Sequence, residues 1–435
     1  MKRNLSLLAT FLLLLPGLAA QTGGPWTLQD CLAYALEHNI QLQKSRVTIQ
    51  SGEEDTRQAR AQLFPSLSAS LSQNLSYQPA DAAADNGSYN GSYGLSANWT
   101  LFDAGRRTNT IRQQELQDRV NELTLEQNER EVQISLVQTY LQALYATEAV
   151  RINTNTVEVS EAQRNRAEEL LRAGSISRVS FAQMESQYST DKYQLVVAKK
   201  NLDNYKLQLK QLLELDILQE IELVIPALTA DDVLTALPPK EVIYASALAV
   251  MPEVHSSELS ILIAELETRK ARAAYFPSLS MNAALSTGNA SGALLSFGDQ
   301  LWNRLNQSVG LTLSIPIFSN RANRTALNKA RFSLTGSRLD QQSTHKTLLR
   351  AVEGVYLDAT SAQNQYLASA ERLRYVAESY RLTEEQFFLG MKNTLELLTE
   401  KNNMLNAQQE ELQSKYMAIL SLQLLNIYQK KQITI

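Results

Sequence analysis

Four stretches of the chain alternate apolar and small polar residues with period two. Leu67, Ala69, Leu71, Leu75 and Tyr77 alternate with Ser68, Ser70, Ser72, Asn74 and Ser76. Tyr93, Leu95, Ala97, Trp99 and Leu101 alternate with Gly94, Ser96, Asn98 and Thr100. Leu279, Met281, Ala283 and Leu285, and later Val309, Leu311, Leu313 and Ile315, do the same against Ser, Asn, Thr, Gly and Ala. Alternation is strand geometry, because successive side chains point to opposite faces. It predicts strands at about 67–77, 93–102, 279–287 and 308–317. Their polar faces carry almost no charge. One apolar face and one small-polar face over about ten residues fit a transmembrane barrel strand, with lipid on one side and water on the other. Tyr77, Tyr93, Trp99 and Phe102 near strand ends suit interfacial aromatic belts.

Elsewhere the period is helical. From Ala104 to Ala173 there is no proline, and Gly105 is the only glycine. Leu116, Val120, Leu123, Ile134, Val137, Leu141 and Leu144 form one heptad-like stripe, and Leu125, Val132, Leu136 and Ala143 a second beside it. Leu348, Val352, Val355, Ala359, Ala362, Tyr366 and Leu373 repeat the arrangement. Two stripes mean a neighbour on each side, as in helices that line a tube, whereas a two-stranded coiled coil needs one. Long helices are predicted at about 104–173 and 320–389. Gly174 and Gly390 stop them, and return helices follow at about 175–215 and 392–428.

The chain repeats itself. Ala59-Arg60-Ala61-Gln62-Leu63-Phe64-Pro65-Ser66-Leu67 recurs as Ala271-Arg272-Ala273-Ala274-Tyr275-Phe276-Pro277-Ser278-Leu279. Leu101-Phe102-Asp103 and Gly174 recur at nearly the same spacing as Ile317-Phe318-Ser319 and Gly390. Two tandem repeats are expected, 21–224 and 241–435, each opening with a helix that runs to its Phe-Pro corner. The proline-marked linker 225–240 lies between them. Phe64, Pro65, Phe276 and Pro277 mark the helix-to-strand corners, since proline removes an amide donor and disfavours helix before it.

Residues 1–20 read as a secretory signal: Lys2 and Arg3, an apolar run from Leu5 to Leu15, then Leu18-Ala19-Ala20. No apolar run reaches the ~20 residues that a spanning helix needs, so a membrane crossing falls on the strands. The net charge is -4, with no long basic run, which gives nucleic acid no support. Cys31, the sole cysteine, reads as a buried small apolar residue. His38, His255 and His345 lie in unrelated places, and no phosphate loop or metal motif appears. Neither enzyme nor cofactor is expected. Paired acids such as Glu384 and Glu385 read as solvated helix faces.

Four strands cannot close a barrel, and open edges are not tolerated in hydrocarbon. Several chains must therefore contribute. Two would give a bore filled by side chains; three leave room for a lumen. A periplasmic adaptor or a structural coiled-coil protein of the cell envelope is the competing class. An adaptor would show one helical hairpin flanked by compact β-domains, without duplicated serine-lined strands.

The segment from Trp26 to Asn39 (WTLQDCLAYALEHN), the two Phe-Pro-Ser-Leu corners, Leu101-Phe102-Asp103-Ala104-Gly105 and the Gly174 and Gly390 turns resemble the TolC family of outer-membrane efflux proteins, over essentially the whole mature chain. The resemblance implies a membrane α+β fold: a homotrimeric 12-stranded β-barrel, four strands per chain, continuous with a long periplasmic α-helical barrel. A collar from about 215–240 and the C-terminal tail would surround it. It implies an outer-membrane channel of a tripartite efflux or type I secretion system in a Gram-negative type envelope, with porin-like passage of small molecules or proteins. The implied partners are outer-membrane lipid, a periplasmic adaptor (membrane fusion) protein and an inner-membrane pump of RND or ABC type. Aligning on Gly390 places an acidic constriction ring on Glu396 and a basic constriction residue on Lys392. Thr399 stands where the family's best-known channel has a second acid. Bare residue chemistry offers another reading of Glu396, an exposed helix glutamate paired with Lys392. The resemblance further implies adaptor docking at the two tip turns, Gly174, Ser175, Ile176 and Ser177, and Gly390, Met391 and Asn393. The loop at 287–307, rich in Leu294, Leu295, Phe297, Leu301 and Trp302, is expected outside, with a partial lid over the mouth left open.

Overall fold

The computed structural model describes residues 24–77 and 87–433; the expected signal segment and residues 78–86, between the first two expected strands, lie outside them. The first half runs α1 (Leu28–His38), α2 (Ile40–Ala61), β1 (Ser66–Tyr77), β2 (Gly87–Phe102), α3 (Arg106–Arg172) and α4 (Arg178–Leu212). A short α5 (Ala230–Val233) lies in the linker. The second half runs α6 (Lys240–Val250), α7 (Pro252–Ala273), β3 (Ser278–Ala290), α8 (Phe297–Asn303), β4 (Asn306–Ser314), α9 (Ala322–Phe388) and α10 (Thr394–Tyr428). Helix, hairpin, long helix and return helix thus occur twice in the same order. The paired elements even match in length: α3 and α9 have 67 residues each, α4 and α10 have 35 each. At 1.5 Å per residue the long helices reach about 100 Å.

Several expected boundaries move for physical reasons. The helix leading to each corner is two helices. Asn39 ends α1 and caps α2, its side chain accepting from the amides of Gln41 and Leu42. In the second half the break is Met251, with Pro252 opening α7, where its missing amide costs nothing. Strand β2 begins at Gly87, well before the expected 93, because a Gly/Ser/Asn/Tyr stretch pairs through its backbone without displaying alternation. Strand β4 stops at Ser314 instead of 317, two residues before Pro316, which has no amide to donate. The loop at 287–307 is not all loop: β3 extends to Ala290 and α8 follows.

The four strands form one antiparallel sheet in the order β1-β2-β3-β4, so β1 and β4 are its edges. The register places Leu71 opposite Tyr93 and Tyr93 opposite Thr287, and Ala97 opposite both Leu67 and Ala283. The apolar residues therefore share one face, and that face is open: Leu67, Leu71, Leu75, Val309, Leu311 and Leu313 are all well exposed. On the other face, serines pair across strands, Ser68 with Ser96 at 2.8 Å and Ser76 with Ser88 at 2.6 Å.

The strand-to-helix corner uses two consecutive left-handed residues in each half, Ala104-Gly105 and Asn320-Arg321. Side chains tie the long helix back to the preceding corner. Arg107 pairs with Asp103 at 3.0 Å and donates to the Gln62 carbonyl at 3.0 Å. Asn323 donates to the Ala274 carbonyl at 2.9 Å. Phe64 and Phe276 remain exposed beside these anchors.

Burial is concentrated midway along the helices. Trp26, Leu28, Cys31, Ala35, Leu209, Leu213, Ile221 and Val233 pack around Leu136, Val137, Tyr140 and Leu144 of α3 and Tyr416 and Ile419 of α10. The linker belongs to this cluster. Trp26 bridges Leu223 in parallel, and the Tyr140 hydroxyl lies within hydrogen-bond distance of the Trp26 carbonyl at 3.2 Å and the Val224 carbonyl at 3.0 Å. Cys31 is fully buried, and burial pushes its thiol up to about 12, as an inert apolar residue requires. Among the described residues no single helix is long and apolar enough to cross a membrane.

Candidate functional site at the helical tips

Each long helix ends on a glycine in the left-handed region, where a side chain would be strained. At the first tip, Gly174 has φ +74°. Its amide bonds to the Leu171 carbonyl at 3.0 Å, and the Ser175 amide to Leu170 at 2.8 Å. At the second, Gly390 has φ +75°, and the Gly390 and Met391 amides bond to Phe387 at 3.0 Å and Gln386 at 2.9 Å. This is the paired helix-ending bond pattern that satisfies orphan carbonyls. Ser177 then caps α4 through the Ser180 amide at 3.1 Å, and Asn393 caps α10 through the Glu396 amide at 3.0 Å. Ile176 packs inward against the cluster of Ala167, Met184, Tyr380, Leu397 and Leu398, whereas Met391 is exposed.

Glu396 serves two local purposes. Its carboxylate accepts from the Asn393 amide at 3.0 Å, completing a capping box, and from Lys392 Nζ at 2.7 Å. The backbone bond at Asn393, then the Lys392 ammonium, hold this carboxyl below its ordinary value. The anion at a helix N-terminus is also favoured by the helix dipole. Thr399 lies one turn on, its hydroxyl bonded to the Leu395 carbonyl at 2.8 Å. Glu396 and Thr399 are thus on the first turns of α10, and Lys392 lies in the turn just before it.

Above the tips lies a buried polar layer that sequence reasoning missed. Lys401 of α10 is 1% exposed and sits 2.6 Å from Asp191 of α4 and 2.6 Å from Ser160 of α3. Ser160 also hydrogen-bonds Asp191, whose second oxygen accepts from Gln187 at 2.8 Å. Alongside, Gln163 of α3 donates to Tyr380 at 2.9 Å and to Glu384 at 2.8 Å, both on α9, and the Tyr380 hydroxyl donates to Glu384 at 3.0 Å. Burial raises the Tyr380 phenol, keeping it a neutral donor. Glu384 is therefore not the solvated face residue expected from the sequence. Glu385 is solvated, paired with Arg381 at 2.7 Å. All four helices of the two hairpins meet in this layer. A buried charge of this kind persists only when paired and hydrogen-bonded.

No group of His, Cys, Asp or Glu suited to a metal ion occurs among the described residues. The arrangement instead offers a long helical body, two turns at one end and an uncharged, serine-faced sheet at the other.

Comparison with known proteins gives one answer. Residues 32–214 and 243–426 match the family model described as outer membrane efflux protein. The chain is 24% identical over 400 residues to the probable efflux pump outer membrane protein TtgC of Pseudomonas putida, covering 88% of this chain and 78% of the relative. It is 20% identical over 394 residues to the outer membrane protein TolC of Escherichia coli, covering 87% and 77%. Among solved structures, CusC, studied for its folding and transmembrane channel formation, superposes with TM-score 0.78 at 19% identity, covering 92% of this chain and 90% of that one. The CmeC outer membrane channel of Campylobacter jejuni follows with TM-score 0.75 at 19% identity, covering 93% and 87%. The family match covers most of both halves, from within α1 to near the end of α10, so the chain belongs to the outer membrane efflux protein family.

Proposed function

We propose that this chain is one third of an outer-membrane export duct. Three copies close a 12-stranded barrel, each contributing its four-stranded sheet, and their helices form a periplasmic tunnel. The observation that carries this reading is the sheet: among the described residues both edge strands lack a partner on one side, and most of its apolar face is open. In hydrocarbon an unpaired edge costs several kcal/mol per unsatisfied group. Joining β4 of one copy to β1 of the next removes every edge. The Ser/Asn/Thr face then lines a wet, uncharged lumen, and the leucine face meets lipid.

The relatives bear names of efflux pump and secretion components, among them the alkaline protease secretion protein AprF of Pseudomonas aeruginosa. Accordingly the duct carries small molecules or proteins outward from a periplasmic adaptor and an inner-membrane pump. The tip turns Gly174–Ser177 and Gly390–Asn393 meet the adaptor. Glu396, with Lys392 and Thr399, forms the constriction, where three carboxylates near one axis favour cations. The ion pair with Lys392 at 2.7 Å moderates that ring without removing its carboxylates.

Purified protein in planar bilayers tests the duct directly. Discrete conductance steps with cation preference are expected. Glu396→Gln should reduce that preference and weaken block by multivalent cations added on the tip side. A protein that inserts without conducting would contradict the duct; conduction unchanged by Glu396→Gln would leave the duct and remove the ring.

A further inference from the structure

The apolar face of the sheet does not stay apolar to its far end. There Gln73, Tyr93 and Asn289 project from the same face as Leu71, Leu95 and Leu285. Gln73 donates to the Tyr93 hydroxyl at 2.8 Å, which donates to Asn289 at 3.1 Å. Facing lipid uncovered, such groups would be costly. Helix α8 covers part of this group: Asn289 is buried and Tyr93 half-buried, whereas Gln73 stays exposed. Phe297 packs edge-on against Tyr93, with centroids 6.5 Å apart. Thr287 donates to the Leu301 carbonyl, and Gln300, itself buried, accepts from the Ala290 amide at 2.8 Å. The helix therefore lies on the outward face of the sheet, above β2 and β3, and not across the end of the serine-lined face.

Its free side carries large apolar residues beside exposed Asp299 and Asn303. Leu294 is 106% exposed, Trp302 77% and Phe297 55%, with Leu295 and Leu305 beside them and Arg304 at the helix end. Tryptophan with a neighbouring arginine is the pairing favoured where acyl chains give way to anionic headgroups.

We propose that α8 is an interfacial anchor: Leu294, Phe297 and Trp302 rest among outer-leaflet lipids at headgroup depth, and the helix shields Tyr93 and Asn289 from hydrocarbon. The proposal rests on the duct reading, which directs this face to lipid. It assigns the loop a membrane-contact role and leaves the barrel mouth uncovered by it.

The chain has three tryptophans, so the emission lost in Trp302→Phe, relative to the unaltered protein, reports Trp302 alone. Both proteins are reconstituted in vesicles with and without phospholipid brominated high on the acyl chain, and titrated with aqueous iodide. The expected result is quenching of the difference emission by bromolipid several-fold stronger than by iodide. Quenching by iodide with no bromolipid response would mean a water-exposed lid and overturn the proposal. So would quenching by neither, which would mean cover by a neighbouring copy. Leu305→Trp in the Trp302→Phe background repeats the reading from the next turn. Conductance is measured on the same vesicles. Conducting vesicles with iodide-quenched Trp302 remove the anchor alone; vesicles that do not conduct remove the duct and the anchor with it.

Discussion

The two tips share a backbone and differ in chemistry. Gly174 and Gly390 have nearly the same φ, bond to the same positions of the preceding helix, and are followed three residues later by a capping side chain. Around the first turn stand Arg172, Ser175, Arg178 and Ser180. Around the second stand exposed Leu389, Met391 and Leu395 and the Lys392–Glu396 pair. Reversing a helix within five residues constrains the backbone tightly and the side chains hardly at all. The two halves share the turn and differ in what it displays.

The largest effect is expected where the hairpins are joined. Lys401→Met leaves Asp191 buried beside Ser160 without its cation, a loss of about 3–5 kcal/mol. Thermal unfolding in detergent should shift down clearly. Adding Asp191→Leu should recover much of the loss, because the uncompensated charge goes with it. A single variant as stable as the parent would mean that water reaches the pair.

Next come the turns themselves. A Cβ at Gly174 or Gly390 meets nothing within 4 Å, so the penalty is purely conformational. Gly174→Ala and Gly390→Ala should each cost roughly 1–2 kcal/mol, read as faster amide exchange in the adjoining turns. Equal losses support a shared backbone design; a loss at one tip alone breaks the comparison.

The caps differ more subtly. Ser177→Ala and Asn393→Ala should each cost about 1 kcal/mol. Only the second tip should respond to acid. The Glu396 carboxyl titrates below its ordinary value when folded, so its contribution is complete above the unfolded pKa and is lost as pH falls through the folded one. Amide protection near Asn393 should decline over that acidic range while protection near Ser177 stays flat. In Glu396→Gln the decline should vanish.

Much of this was legible in sequence because it is periodic or punctuated. Alternation gives the strand cores, and the Gly174, Gly390, Pro65 and Pro277 positions give the turns. Start and stop points blurred where pairing runs through Gly and Ser, as at Gly87–Ser92. Helix α8 was hidden because seven residues are too few to display a period. The Ser160–Asp191–Lys401 layer was invisible for another reason. Asp191 lies 31 residues from Ser160 and 210 from Lys401, and each looks like an ordinary polar residue on a helix surface. Only the packing of α3, α4 and α10 makes them neighbours.

The most direct test of the duct is the mass of the full assembly in mild detergent or lipid nanodiscs. The proposed three-chain duct places β4 of one copy beside β1 of the next, so cysteines placed on those two strands should cross-link. A particle of three chains carrying those cross-links is the predicted result. A stable, monodisperse single chain embedded in lipid would contradict it.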